Sequence, residues 1–132
     1  YAMLGRISEA GECMHQALEI DREIGDRHGI AIDLGNLGNL LAAAGRHEKA
    51  LMFFEQRLAI ASELNDNQGR ATTLLNAAIS LANLGRVAEA LQNTLEAQNL
   101  FESLGFAEVE NVRKLRERLE QLIHDEERVN TA

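Results

Sequence analysis

At 132 residues, with 45% hydrophobic and 26% charged residues, the chain has the size and composition of one soluble helical domain. Its formal net charge of -8 argues against nucleic acid, whose phosphates need a basic surface. The single cysteine leaves no intramolecular disulfide and points to a reducing, cytoplasmic setting, while no apolar run approaches the ~20 residues of a membrane span.

In chain order, Tyr1 to Leu4 read as the last turn of a helix cut short, and Gly5-Arg6 as a turn into a second helix from about Ile7 to Ile24. The apolar positions Ile7, Ala10, Met14, Ala17, Leu18 and Ile20 of that helix include a face without a partner. A homodimer or swapped assembly through this truncated N-terminal edge is therefore expected. Cys13, beside Met14, reads as a buried packing thiol. Gly25 to Gly29 form the next turn, with Asp26 placed to cap a helix. Leu34, Leu37, Leu40 and Leu41 recur at the period of one helix face. Ala44-Gly45-Arg46 is a short turn that forces the next helix antiparallel, and Ala50, Phe53, Phe54, Leu58, Ile60 and Ala61 form that helix's stripe.

A second turn over Asn65 to Gly69, with Asp66 as its cap, leads to helices of about Asn67 to Asn83 and Val87 to Leu104. Gly25, Asn65 and Gly105 align, and each can take the left-handed conformation that closes a helix. After Phe106 the spacing changes, but Val109, Val112, Leu115, Leu119 and Leu122-Ile123 keep a helical period, which predicts an amphipathic cap helix. Asp125 to Ala132 has little apolar content and is expected to fray.

These elements repeat. A shift of 40 positions lays Gly45-Arg46 on Gly5-Arg6 and Gly85-Arg86, Ala50 on Ala10 and Ala90, and Ile60 on Ile20 and Leu100. A helical hairpin of this size cannot bury both faces of its helices, so successive hairpins must stack to complete a core. The expected fold is all-α, a superhelical stack of antiparallel helical hairpins. A truncated repeat occupies 1–24, complete repeats 25–64 and 65–104, and a C-terminal cap helix with its tail 105–132.

Leu34, Leu37-Gly38, Leu41, Gly45, Ala50 and Phe54 resemble the tetratricopeptide repeat, in which a large residue, Leu-Gly, a second large residue, a turn glycine, a small residue and an aromatic follow at this spacing. The following unit departs from the pattern, with Ala77-Ala78 for Leu-Gly and Thr94 for the aromatic, and Arg57 stands where a small residue is usual. The common repeat runs at about 34 residues, so this spacing resembles the long-armed form of kinesin light chains, Pins-type adaptors and bacterial signalling proteins.

The resemblance implies a module that binds a protein or peptide partner and has no chemistry of its own. In such proteins the first helices of successive hairpins line a concave groove, where asparagines and basic residues hold an extended peptide. The aligned column here is Asn36, Asn76 and Arg116, with Asn39, Asp33, Thr73, Asn83, Arg70 and Arg113 as neighbours at helical spacing. An asparagine carboxamide both donates and accepts, which suits pairing with an extended backbone independently of sequence. The alternative use of Asn36 and Asn76 is structural, binding helix ends inside the stack. The carboxylate-clamp form of the family needs several cations on the first helices, and the middle unit offers only Arg27, at a helix start.

Other chemistry finds no support in the residues. His15, His28, His47 and His124 lack a second copy of the Glu12-x-x-His15 spacing that a carboxylate-bridged metal pair needs. Ser62, Ser80 and Ser103 lack a nucleophile-elbow signature, and Gly35-Asn36-Leu37-Gly38 lies mid-helix rather than after a strand. No cofactor, metal, nucleic acid or membrane is expected. Two further readings stand beside the groove: regulation of a catalytic or DNA-binding remainder of a longer signalling protein, and self-assembly through the edges of the stack.

Overall fold

Helix boundaries in this chain are set by the residues that close each helix. The computed structural model describes residues 2–106 and 109–131, with side chains over 8–23, 25–106 and 109–130. The helices are α1 (Ala2–Ile24), α2 (Arg27–Ala43), α3 (His47–Glu63), α4 (Asn67–Asn83), α5 (Val87–Ser103) and α6 (Glu110–Thr131), and no strand occurs among the described residues.

The ends of α1 to α5 share one geometry. Gly25, Gly45, Asn65, Gly85 and Gly105 have φ of 71°, 79°, 54°, 79° and 84°, the left-handed region in which a side chain is strained. At the end of α2 the Gly45 amide donates to the Ala42 carbonyl at 3.0 Å and the Arg46 amide to Leu41 at 2.8 Å. This double closure satisfies carbonyls that the helix leaves open. It recurs at Asn65 and Asp66, which donate to Ser62 and Ala61 at 3.3 and 2.9 Å. At the end of α5, Phe106 donates to the Phe101 carbonyl at 3.0 Å and meets its ring edge to face at 5.9 Å. That apolar contact is the usual companion of this closure.

The chain comprises two compact units, residues 1–66 and 67–132. In the first, α2 packs on both α1 and α3. Leu18, Ile30, Ala31, Leu34, Leu37 and Ile60 form its core, with Met14 and Phe53 against them. Asp26 starts α2, its carboxylate accepting the Gly29 amide at 3.0 Å. Phe54, 1% exposed, lies over Gly38 so closely that an added Cβ there would stand 2.5 Å from the ring. The Leu-Gly pair and the aromatic are thus one device, a bare stretch of helix that admits a ring.

The second unit packs α5 against both α4 and α6 and is built from smaller residues. Ala71, Ala77, Ala78, Ala90 and Ala97 are buried with Leu74, Leu81, Val112 and Leu119. Thr94 replaces the aromatic. It is fully buried and its hydroxyl donates to the Ala90 carbonyl at 2.8 Å, so the polar group is satisfied within its own helix.

Four expectations need correction. Gly5-Arg6 lies inside α1 and makes no turn, because a glycine with helical dihedrals costs a helix only about 1 kcal/mol and does not by itself end it. The α1 face is not bare: α2 half-covers Met14 and buries Leu18, leaving Ile20 58% exposed, while the side chain of Ile7 lies outside the described residues. Cys13 is exposed, one step round the helix from Met14 and on the stripe of Ile20. The segment from Asp125 stays helical to Thr131 rather than fraying. Pairs one turn apart support α6, including Arg113 with Glu117 at 3.3 Å, Lys114 with Glu110 at 3.4 Å, and Gln121 donating to Asp125 at 3.0 Å.

Candidate functional site

On α2 the residues that do not face the core gather on one side. Asn36 and Asn39, three residues apart, are exposed, and neither carboxamide has a hydrogen-bond partner among the described residues. The structural alternative, in which Asn36 ties helix ends together, is therefore not what α2 shows. Beside them is a residue that the periodicity did not single out as functional. Arg57 of α3 is half-buried and lays its guanidinium against Gly35, without an ion pair among the described residues. Gly35 and Asn39 are one turn apart, so Arg57 lies along the asparagine face. The signal was present in the sequence as two coupled oddities, a glycine at position 35 and an arginine where a small residue is usual.

Asp33 takes a different direction. Its half-buried carboxyl meets Asp21 of α1 near Asp26, and one of its oxygens is buried without a donor. Burial, the Asp21 hydrogen bond, and the charges of Asp21 and Asp26 push Asp33 up to about 6. Two carboxylates that share one proton explain the pairing. Asp33 is a junction residue between α1 and α2.

In the second unit Asn76 is half-buried and also lacks a hydrogen-bond partner among the described residues. Thr73 leaves the candidate set: it is fully buried, and its hydroxyl donates to the Gly69 carbonyl at 2.7 Å. Asn83 is exposed but its carboxamide nitrogen donates back to Ile79 at 2.8 Å. The basic candidates have internal partners. Arg70 reaches Glu96 of α5 at 3.1 Å, Arg113 lies 3.3 Å from Glu117 and 3.8 Å from Glu110, and Arg116 donates to Gln98 at 3.0 Å. Ion pairs at the surface, such as those of Arg113, are worth about 0–1 kcal/mol, so a ligand carboxylate can exchange with them, whereas Arg70 and Arg116 are partly buried.

No group of His, Cys, Asp and Glu able to hold a metal occurs among the described residues. No helix among the described residues is long and apolar enough to cross a membrane.

The tetratricopeptide repeat model matches residues 1–63. These residues, just under half of the chain, are similar to the tetratricopeptide repeat family. Among solved structures, the apo form of RapI is similar with a TM-score of 0.83 and 20% identity, over 95% of this chain and 35% of RapI. This chain thus spans about a third of the protein it resembles, and the likeness shows a shared tetratricopeptide-like solenoid of helical hairpins. No curated protein matches the sequence. Tetratricopeptide repeats generally mediate protein–protein interactions and are typically non-catalytic scaffolds. The Gly38–Phe54 contact, α2 against α3, is the tetratricopeptide Leu-Gly and aromatic signature realised in three dimensions.

Proposed function

We propose that the chain is a cytoplasmic, non-catalytic binding module that holds extended segments of a partner protein through its asparagine faces, one on α2 in the first unit and one on α4 in the second. The observation that carries this reading is the state of Asn36, Asn39 and Asn76. Each is a donor-and-acceptor side chain on the first helix of a hairpin, and none has a hydrogen bond among the described residues. A peptide backbone in extended form offers alternating amides and carbonyls that such carboxamides pair with, whatever the side chains between them. Arg57 adds a cation to the α2 face, and Arg70, Arg113 and Arg116 add further ones in the second unit. Selection from a peptide library tests the proposal, with the chain and its Asn36→Ala plus Asn76→Ala form compared at matched helicity. The expected outcome is a set of peptides enriched by the first and lost by the second. Equal enrichment by both refutes a binding role for these asparagines.

A regulatory role inside a longer polypeptide is a second reading. It is favoured by the extent of the RapI match, in which a segment of this length forms 35% of a larger chain.

A further inference from the structure

We infer that the first unit carries a second binding site, a cleft between α1 and α3 that takes a short acidic and apolar segment of a partner polypeptide. The cleft measures about 570 Å³ and is floored by Leu37, Leu40 and Leu41 of α2 with Phe53 of α3. That volume lies within the range of roughly 300–1,000 Å³ in which ligand sites occur. Its rim on the α3 side is formed by Arg46, the residue that precedes the helix, and Lys49.

The rim is unusual when compared with its counterpart forty residues on. In the second hairpin Arg86 donates to both carboxylate oxygens of Glu89, at 3.0 and 2.7 Å, which holds Glu89 below the usual carboxylate range. In the first hairpin the glutamate is replaced by Lys49. Two cations then stand one turn apart, where like charges disfavour each other. Neither has an ion pair among the described residues. The same backbone frame that elsewhere neutralises its arginine here presents a doubled positive charge over an apolar floor. Its complement is a carboxylate next to a large apolar side chain.

The opposite wall gives the segment a direction. α1 contributes Glu12 and His15, and the His15 ring meets Phe53 edge-on at 6.5 Å. Glu12 repels an acidic side chain and accepts from a backbone amide. The acidic residue therefore seats toward α3 and the peptide amides toward α1. The chain's net charge of -8 opposes acidic peptides at long range, so any preference for them must arise locally. This site is separate from the asparagine faces and does not depend on them.

The test uses the whole chain and capped, dye-labelled hexapeptides that combine Leu or Phe with Glu, alongside counterparts with Gln in place of Glu. Fluorescence anisotropy is read at about 0.15 M ionic strength, where the Debye length is about 8 Å. The Glu peptides are expected to bind at least about tenfold more tightly, the scale of one charge-assisted contact. Lys49→Glu restores the pairing seen at Arg86 and Glu89 and should bring the two sets within about twofold. Lys114→Glu, the same charge change on α6, should leave the preference intact, as should Asn36→Ala with Asn39→Ala. Equal binding of the Glu and Gln sets, absent binding of both, or a preference that survives Lys49→Glu would overturn the assignment.

Discussion

Asp33 shows how a single residue on the candidate face can serve the fold instead. Folding raises its pKa from the ordinary 3.8 to about 6, chiefly through burial and then through Asp21 and Asp26. The native state therefore holds a proton over that interval that the unfolded chain releases. Stability from this group is full below about pH 4 and is lost as the pH rises through about 6. Asp33→Asn, which keeps the shape without the charge, should remove this slope. Denaturant titrations at about pH 4.5 and 7 should show the variant gaining on the parent by an amount on the order of 1 kcal/mol, after allowance for solvent screening. Two glycines one turn apart on α2 make a second test with opposite signs. Gly38→Ala drives a methyl into Phe54, which is packed on all sides, and should cost about 1–2 kcal/mol after its helix gain. Gly35→Ala meets only the flexible end of Arg57 and should be neutral or stabilising by up to about 1 kcal/mol. Thermal melts of the two variants, read beside circular dichroism, separate these outcomes.

Each of α1 to α5 is terminated by one left-handed residue, and that device is legible in the sequence. Gly25, Gly45, Gly85 and Gly105 cost nothing sterically in this conformation, whereas Asn65 holds φ of 54° with a side chain. Asn65→Gly should therefore stabilise the end of α3 by about 0.5 kcal/mol, less than the full left-handed strain because glycine loses more freedom on folding. A higher midpoint in urea with an unchanged slope is the result that fits. The same signal misled at Gly5-Arg6. A glycine marks a helix end only where packing returns the chain, and its dihedrals, not its identity, decide. The α6 helix was visible in Val112 and Leu119, which are buried as their spacing requires. Its persistence to Thr131 was not, because i,i+4 pairing of polar side chains leaves no apolar period to read.

For the molecule as a whole, periodicity exposes what packs and says little about the residues that stand outside the core. Leu34, Leu37, Gly38 and Phe54 announced the hairpin because burial dictates residue type there. Thr73 reads as a groove neighbour in the sequence because a threonine at helical spacing looks the same whether its hydroxyl faces solvent or a carbonyl four residues back. Arg57 stands out in the sequence only as a departure from the repeat, because its place depends on a glycine 22 positions earlier, across a helix interface. The cleft between α1 and α3 was hidden for the same reason, since the meaning of Lys49 lies in the comparison with Glu89.

On the proposed function, Asn36, Asn39 and Arg57 form a contact surface for a partner chain. The most direct measurement is the affinity of one library-selected peptide for the parent chain and for its Asn36→Ala, Asn39→Ala, Arg57→Ala triple variant, with melting temperature as the control. At least about a tenfold loss of affinity with melting unchanged is expected, since three polar contacts of roughly 0.5–1.5 kcal/mol each are removed. An affinity within about twofold of the parent, at equal stability, would contradict it.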